Sequence, residues 1–319
     1  MNVTVCGCGR WGSFLAWYAA EQCGHDVTLY GRSGSPHFQQ IVQTHTNGLV
    51  TFPDRTHYSS NLHAALSSAQ AVIISIGAQN LRNFLREFSP RECNGKTLVL
   101  CMKGLEADTG LRLTQVTREF LPDTDLAIWV GPGHVQDFLK GIPNCMVIDS
   151  DSDAVKKRVV QFFESPLIRF YYGEDLLGNE VGAAAKNVIG IAAGMLDGLN
   201  KTALKGALMS RGTREIGRLI KAMGGREITA YGLAHLGDYE ATVFSRYSHN
   251  RQFGEDYIKK IPYKKLAEGV PTVTALLHLG NQYEVELPIC QAVDSVINGG
   301  QEPNRALSSL FLRPLKREF

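Results

Sequence analysis

"NVTVCGCGRWGSFLAWYAAEQCG" (residues 2–24) decides how the first half of this 319-residue chain is read. "VTVC" (3–6) has the character of a short buried strand. It runs directly into Gly7-Cys8-Gly9-Arg10-Trp11-Gly12, a G-x-G-x-x-G, and then into the helical run "SFLAWYAAEQCG". In that setting each glycine has its own task. Gly7 permits the tight turn, Gly9 lets a pyrophosphate approach the backbone, and Gly12 lets the helix pack on the strand. The first N–H groups of the helix, at Arg10 and beyond, then face the phosphates. A glycine turn at a strand end is common, so the motif alone is weak. Its place between strand and helix favours a dinucleotide site over a purely structural turn.

Working outward, the first half alternates strands with helices. "DVTLY" (26–30), "AVIISI" (71–76), "TLVLC" (97–101), "LAIWV" (126–130), "NCMVI" (144–148) and "IRFYY" (168–172) read as buried strands. Most are apolar throughout, as where helices cover both faces of a sheet. Helical patterns at 79–88, 110–120 and 152–164 lie between them, and 31–37 and 43–60 read as loops. This predicts an α/β fold, a Rossmann-type, doubly wound, mainly parallel sheet over residues 1–178. Beyond it, "LGNEVGAAAKNVIGIAAGMLDGLN" and "TALKGALMSRGTREIGRLIKAMGG" predict an all-helical domain over 179–319 that carries substrate and catalysis.

Composition narrows the function classes. A hydrophobic share of 44% with 20% charged residues is that of a soluble globular protein. No run approaches the roughly 18 apolar residues of a membrane helix. Met1 leads straight into folded sequence without a signal-like series. Seven cysteines, an odd number scattered through apolar segments, suit reduced thiols in a cytoplasm, and Cys6 and Cys8 lack the partners of a zinc site. No metal is expected. A net charge of +2 gives no argument for nucleic acid, so any preference for anions must be local.

Two further stretches carry candidates. The second strand ends "LYGRS", where an NAD site usually has an acidic residue for the ribose 2′-hydroxyl. Arg32 and Ser33 instead suit a 2′-phosphate, which favours NADP(H) slightly over NAD(H); an Arg32 turned to solvent is the alternative. On a helical wheel of 180–198, Val181, Ala185, Val188, Ile189, Ala192 and Leu196 form an apolar stripe. The far side holds Ala183, Gly190, Ala193 and Gly194, with Lys186 and Asn187 among them. Glycine and alanine let something approach the backbone closely. Lys186 is then an exposed charge or a functional ammonium.

With "MKGLE" (102–106), "GPGHVQDF" (131–138), "GLAHLGD" (232–238), "AEGV" (267–270), "VELPI" (285–289) and the closing "LFLRPLKREF", the segment "GNEVGAAAKNVIGIAAGMLDG" resembles bacterial NAD(P)-dependent glycerol-3-phosphate dehydrogenase over almost the whole chain. The resemblance implies interconversion of dihydroxyacetone phosphate and sn-glycerol 3-phosphate, with NADPH or NADH, for phospholipid synthesis. It makes Lys186 the general acid/base. Lys103 would contact cofactor and substrate and, as a nearby cation, lower the pKa of Lys186. Asp238 and Thr242 would orient the lysine; helix capping and a strand-end charge are the plainer readings of Asp238 and Lys103. Gly131 and Gly133 fall at substrate positions, as do Ser248, His249 and Asn250. Trp11, Val135, Asn250, Leu266 and Glu268 fall at cofactor positions. A homodimer in the cytoplasm is implied, with a small phosphorylated substrate as the partner.

The departures cluster on the substrate side. Gly133 stands where the family has Ser, Gly77 where it has Pro, and His235 where Gly is usual. In "SRYSHNRQFG" (245–254) the family's "SRN" is Ser248-His249-Asn250. Arginine gives a permanent bidentate fork for phosphate and histidine does not; losing such a contact costs about 1.5–3 kcal/mol. Arg246 and Arg251 are near enough in sequence to take over. Two other readings follow: a related lysine-dependent reductase of another phosphorylated hydroxyketone or a less charged carbonyl, and a low-turnover dinucleotide-binding sensor.

Overall fold

The structure is a computed structural model that describes residues 1–314 and 317. Leu315, Lys316, Glu318 and Phe319, at the close of "LFLRPLKREF", lie outside the described residues. The chain divides into two compact units, Met1–Lys103 with Leu111–Glu180, and Gly104–Gly110 with Val181–Phe319.

The first unit alternates strands and helices in chain order: β1 (Asn2–Cys6), α1 (Arg10–Trp17), β2 (Asp26–Tyr30), α2 (Pro36–Thr44), β3 (Thr56–Ser59), α3 (Leu62–Ser67), β4 (Ala71–Ile74), α4 (Leu81–Leu85), α5 (Pro90–Cys93), β5 (Thr97–Leu100), α6 (Leu113–Phe120), β6 (Asp125–Val130), α7 (Val135–Phe138), β7 (Asn144–Asp149), α8 (Asp153–Phe163) and β8 (Ile168–Tyr172). The eight strands form one sheet in the order β3-β2-β1-β4-β5-β6-β7-β8. Every pairing is parallel except β6 with β7. The direction of winding reverses between β1 and β4, so the C-terminal end of β1 opens at the switch point where such sheets bind ligands. Val3, Val5, Val27, Leu29, Ile73 and Val99 are buried along these central strands, the two-sided burial that the unbroken apolar runs predict.

Three sequence expectations are corrected here. Residues 31–37 and 43–60 are not all loop. Ser35 caps α2, its hydroxyl accepting from the Phe38 N–H at 3.4 Å, and Pro36 occupies the first turn; both are good helix starts. β3, "THYS", has no apolar run to announce it and pairs only with β2. β8 is an edge strand with β7 as its one neighbour, so Arg169, Tyr171 and Tyr172 are exposed instead of buried.

The second unit is built from helices. α9 (Leu176–Gly198) is followed by α10 (Lys205–Ala222), α11 (His249–Ile258), α12 (Gly269–Gln282), α13 (Pro288–Ile297) and α14 (Pro303–Phe311). The division between the units falls inside α9. Val181 to Ile191 are buried without a break, so this helix is a core element surrounded by protein. Its small far side is not left open. A Cβ at Gly194 would lie 1.9 Å from the Arg251 carbonyl oxygen, and one at Gly254 2.1 Å from that of Ile191. α9 and α11 therefore meet backbone to backbone, and what approaches the small face is the chain's own α11.

Candidate active site

At the end of β1 the three glycines differ in their surroundings. Gly7 has φ +121°, and a Cβ there would meet the Ser75 carbonyl oxygen at 2.2 Å; at Gly12 it would meet that of Gly7 at 2.1 Å. Gly9 differs. It is exposed, has φ −69° and ψ 178°, and a Cβ there meets nothing within 4 Å. Two glycines thus hold the turn and the third keeps open space at the N-terminus of α1. That cradle, open at Gly9 and set at the positive end of the helix dipole, fits a pyrophosphate.

Trp11 packs on Phe14 and Phe138, with ring centroids 5.0 and 6.4 Å away. Val135 is buried at the start of α7, and Arg32 is exposed after β2. Lys103 donates from Nζ to the Gly131 carbonyl oxygen at 2.7 Å. Gly133 has no room for a side chain: a Cβ there would come within 2.4 Å of the Phe138 ring.

In the second unit, Lys186 projects from α9 and only 11% of its side chain is exposed. Its Nζ lies 3.1 Å from Asp238 Oδ2 and donates to Thr242 Oγ1 at 2.8 Å. Thr242 in turn donates to the Asp238 carbonyl oxygen at 2.7 Å, which fixes the hydroxyl with a lone pair towards the lysine. Asp238 and Thr242 are each 1% exposed. They sit on a 3₁₀ turn (Leu236–Asp238) and a π turn (Glu240–Phe244), and π turns recur at functional sites. A buried ammonium that keeps a carboxylate at this distance is held in one direction, and breaking such a buried pair is costly.

Asn250 lies beside this centre. It donates to Asn187 Oδ1 at 3.0 Å and accepts the Gly269 N–H at 2.9 Å, so both ends of its amide are engaged. The rest of "SRYSHNRQFG" separates into distinct duties. Ser248 caps α11, accepting from the Arg251 N–H at 3.3 Å. His249 Nδ1 lies 2.8 Å from the Tyr263 hydroxyl. Arg251, 9% exposed, donates to Asp197 at 2.7 Å, Glu255 at 2.8 Å and the Ser245 carbonyl at 3.0 Å. Arg246 is exposed, its guanidinium over the Tyr247 ring at 5.0 Å. Leu266 is exposed, and Glu268 precedes α12, where its carbonyl accepts from Thr272 at 2.6 Å.

Two features escaped the sequence reading. The Asn187–Asn250–Gly269 bridge joins positions up to 82 residues apart. His235 is fully buried between the Gly182 carbonyl and the Tyr239 hydroxyl, each 2.7 Å away. A cavity of about 670 Å³ among α9, α10, α13 and α14 contains neither Lys186, Asp238 nor Thr242 in its lining.

Burial drives the His235 pKa from 6.5 to about 4, against the pull of its Gly182 hydrogen bond and the Asp238 charge. As pH falls, the unfolded chain takes up this proton first. The stabilisation is complete above pH 6.5 and is lost on the way down to pH 4, by on the order of 3 kcal/mol. Glu215 runs the other way, since burial lifts its carboxyl to about 7. The variant comparison removes that common background. In urea unfolding at pH 7 and pH 5, His235→Gln is expected to shift the difference in stability between the two pH values by roughly 2 kcal/mol in favour of pH 5; an unchanged difference would show that the imidazole is not held neutral.

Models of the N-terminal and C-terminal regions of NAD-dependent glycerol-3-phosphate dehydrogenase match residues 2–156 and 175–308. The glycerol-3-phosphate dehydrogenase (NAD(P)+) of Pelodictyon phaeoclathratiforme is 33% identical, with 100% of this chain and 99% of the relative covered. That of Janthinobacterium sp. (strain Marseille) is 35% identical, with 100% of both covered. The crystal structure of glycerol-3-phosphate dehydrogenase from Coxiella burnetii superimposes with a TM-score of 0.92 over 98% of this chain and 99% of that one, a likeness of fold at 24% identity. Matched in both halves by one family and along its length by relatives at a third identity, the chain belongs to the NAD-dependent glycerol-3-phosphate dehydrogenases.

Proposed function

We propose that the chain interconverts dihydroxyacetone phosphate and sn-glycerol 3-phosphate, with Lys186 as the proton donor in reduction and the acceptor in oxidation. The observation that carries this role is the buried ammonium with Asp238 at 3.1 Å and Thr242 at 2.8 Å. Gly7, Gly9, Arg10, Trp11, Gly12 and Val135 would hold the dinucleotide, and Arg32 would meet a 2′-phosphate, favouring NADPH. When bound, the nicotinamide supplies or takes the hydride at the carbonyl carbon. Lys186 gives its proton to the oxygen as that charge develops, and takes it back from the alcohol in reverse. Asp238 keeps the ammonium charged and aimed, and Thr242 fixes its direction. Lys103 and Gly131 would contact the substrate. A cytoplasmic homodimer that supplies glycerol 3-phosphate for phospholipid synthesis completes the reading.

One observation favours a second reading of the substrate. Arg251 is committed to Asp197 and Glu255, so it is not a spare guanidinium for the arginine missing at His249. A less charged hydroxyketone then becomes the alternative. The test is cofactor oxidation with dihydroxyacetone phosphate against dihydroxyacetone. A phosphate clamp worth one charge-assisted contact predicts kcat/KM higher by at least about tenfold for the phosphorylated ketone. Equal values would replace dihydroxyacetone phosphate by an uncharged substrate.

A further inference from the structure

His235 stands in "GLAHLGD" where the family has glycine, and its two ring nitrogens hold separate parts of the second unit. Nδ1 lies 2.7 Å from the Gly182 carbonyl oxygen and Nε2 lies 2.7 Å from the Tyr239 hydroxyl. A carbonyl oxygen has only lone pairs, so Nδ1 carries the proton; burial keeps the ring uncharged, which leaves Nε2 to accept from the Tyr239 hydroxyl. The imidazole is thereby a neutral Nδ1–H tautomer. Its charged form would set a second cation beside Lys186 to compete for Asp238.

The positions it joins matter. Gly182 is one helical turn before Lys186, on the same side of α9. Its lack of a side chain makes room for the imidazole, since a Cβ there would lie 3.0 Å from the His235 Cβ. His235 also begins the turn that presents Asp238, whose N–H donates to the His235 carbonyl at 3.1 Å. Tyr239 follows Asp238 directly and accepts the Thr242 N–H at 3.0 Å. Tyr239 is itself clamped among Ile189, Ala193 and Val243. One ring therefore spans from the helix that carries the lysine to the turns that carry both of its partners.

We propose that His235 is a positioning residue, a buried strut that sets Asp238 and Thr242 at their distances from Lys186 and so aligns the ammonium for proton transfer. This deepens the reading of Lys186 as proton donor and rests on it. Without the strut the turn Leu236–Asp238 relaxes from α9, the carboxylate draws away, and the lysine loses part of the interaction that keeps it charged.

The test compares His235→Ala, His235→Gln and Tyr239→Phe by steady-state kinetics across pH. A carboxamide offers one donor and one acceptor, as the ring does. For His235→Ala, kcat is expected to fall by up to about 100-fold with KM within about threefold, the signature of misplacement by a fraction of an ångström to an ångström. The alkaline limb of the kcat profile should move to lower pH, because a lysine further from its carboxylate gives up its proton more easily. His235→Gln should restore most of kcat and return the limb. Tyr239→Phe, which removes one hydroxyl and keeps the ring, should show the same changes more weakly, and it decides the matter if the alanine variant does not fold. Variants that lose thermal stability while kcat and the limb stay in place would overturn the proposal and leave a merely structural histidine. Turnover retained in Lys186→Met would instead remove the lysine reading itself.

Discussion

Replacing Lys186 with methionine is expected to lower kcat by about 10²- to 10⁴-fold, the contribution of a positioned general acid, while the affinity for NADPH stays within about twofold. Methionine keeps the length and most of the volume of lysine, so the packing of α9 is retained. What it removes is the ammonium that lies between Asp238 and Thr242, the proposed proton donor. The proposed dinucleotide cradle, around Gly7, Gly9 and Gly12, belongs to the first unit and does not include this residue. Binding titrated by cofactor fluorescence should therefore survive the loss of turnover. The variant also takes the ammonium away from the Asp238 carboxylate, which is 1% exposed. A buried charge without its partner costs about 3–5 kcal/mol, so a fall in melting temperature accompanies the fall in rate. A double variant, Lys186→Met with Asp238→Leu, regains stability but not activity. Turnover within tenfold of wild type in Lys186→Met would refute the mechanism. Loss of cofactor binding together with turnover would mean that the effect is global and says nothing particular about proton transfer.

The parts legible in the sequence are those set by short-range rules. β1, the glycine turn and α1 follow one another over some fifteen residues, and each step has a local signal: an apolar run, glycine spacing, a helical pattern. The central strands announce themselves because they are buried on both faces. β3 and β8 lie at the two edges of the sheet, and their sequences mix polar and exposed residues, so the same rule misreads them. α2 was hidden by the serines and glycines before it, although Ser35 and Pro36 are the helix start. In the second unit the wheel of α9 exposes its small face but not its occupant. That occupant, α11, is more than fifty residues on, and no local pattern couples Gly194 to Gly254. The same distance conceals the pairing of Arg251 with Asp197, the bridge through Asn250 and the burial of His235. Charges and amides near one another in the sequence looked like an anion cluster in "SRYSHNRQFG"; folding gives them to different neighbours.

The glycine loop yields the second large expectation, a contrast between two alanines three residues apart. Gly12→Ala would place a methyl group 2.1 Å from the Gly7 carbonyl oxygen, a backbone atom held by the turn and unable to move aside cheaply. Overpacking of this kind costs about 3 kcal/mol or more, so the variant should melt well below wild type and bind cofactor poorly because its loop is displaced. Gly9→Ala meets no such obstacle. Its φ of −69° suits any residue and nothing lies within 4 Å of the new Cβ, so stability should stay within about 1 kcal/mol of wild type. The added methyl nevertheless stands in the open space where a pyrophosphate has to reach the first N–H groups of α1. Losing one or more of those charge-assisted hydrogen bonds costs about 1.5–3 kcal/mol each, a rise in the dissociation constant of NADPH by about 10- to 100-fold. Melting curves and fluorescence titration of the two variants separate the cases: one fails through its fold, the other through its ligand. A Gly9→Ala protein that binds cofactor as wild type does would place the pyrophosphate elsewhere, and with it the reading of this loop would fall.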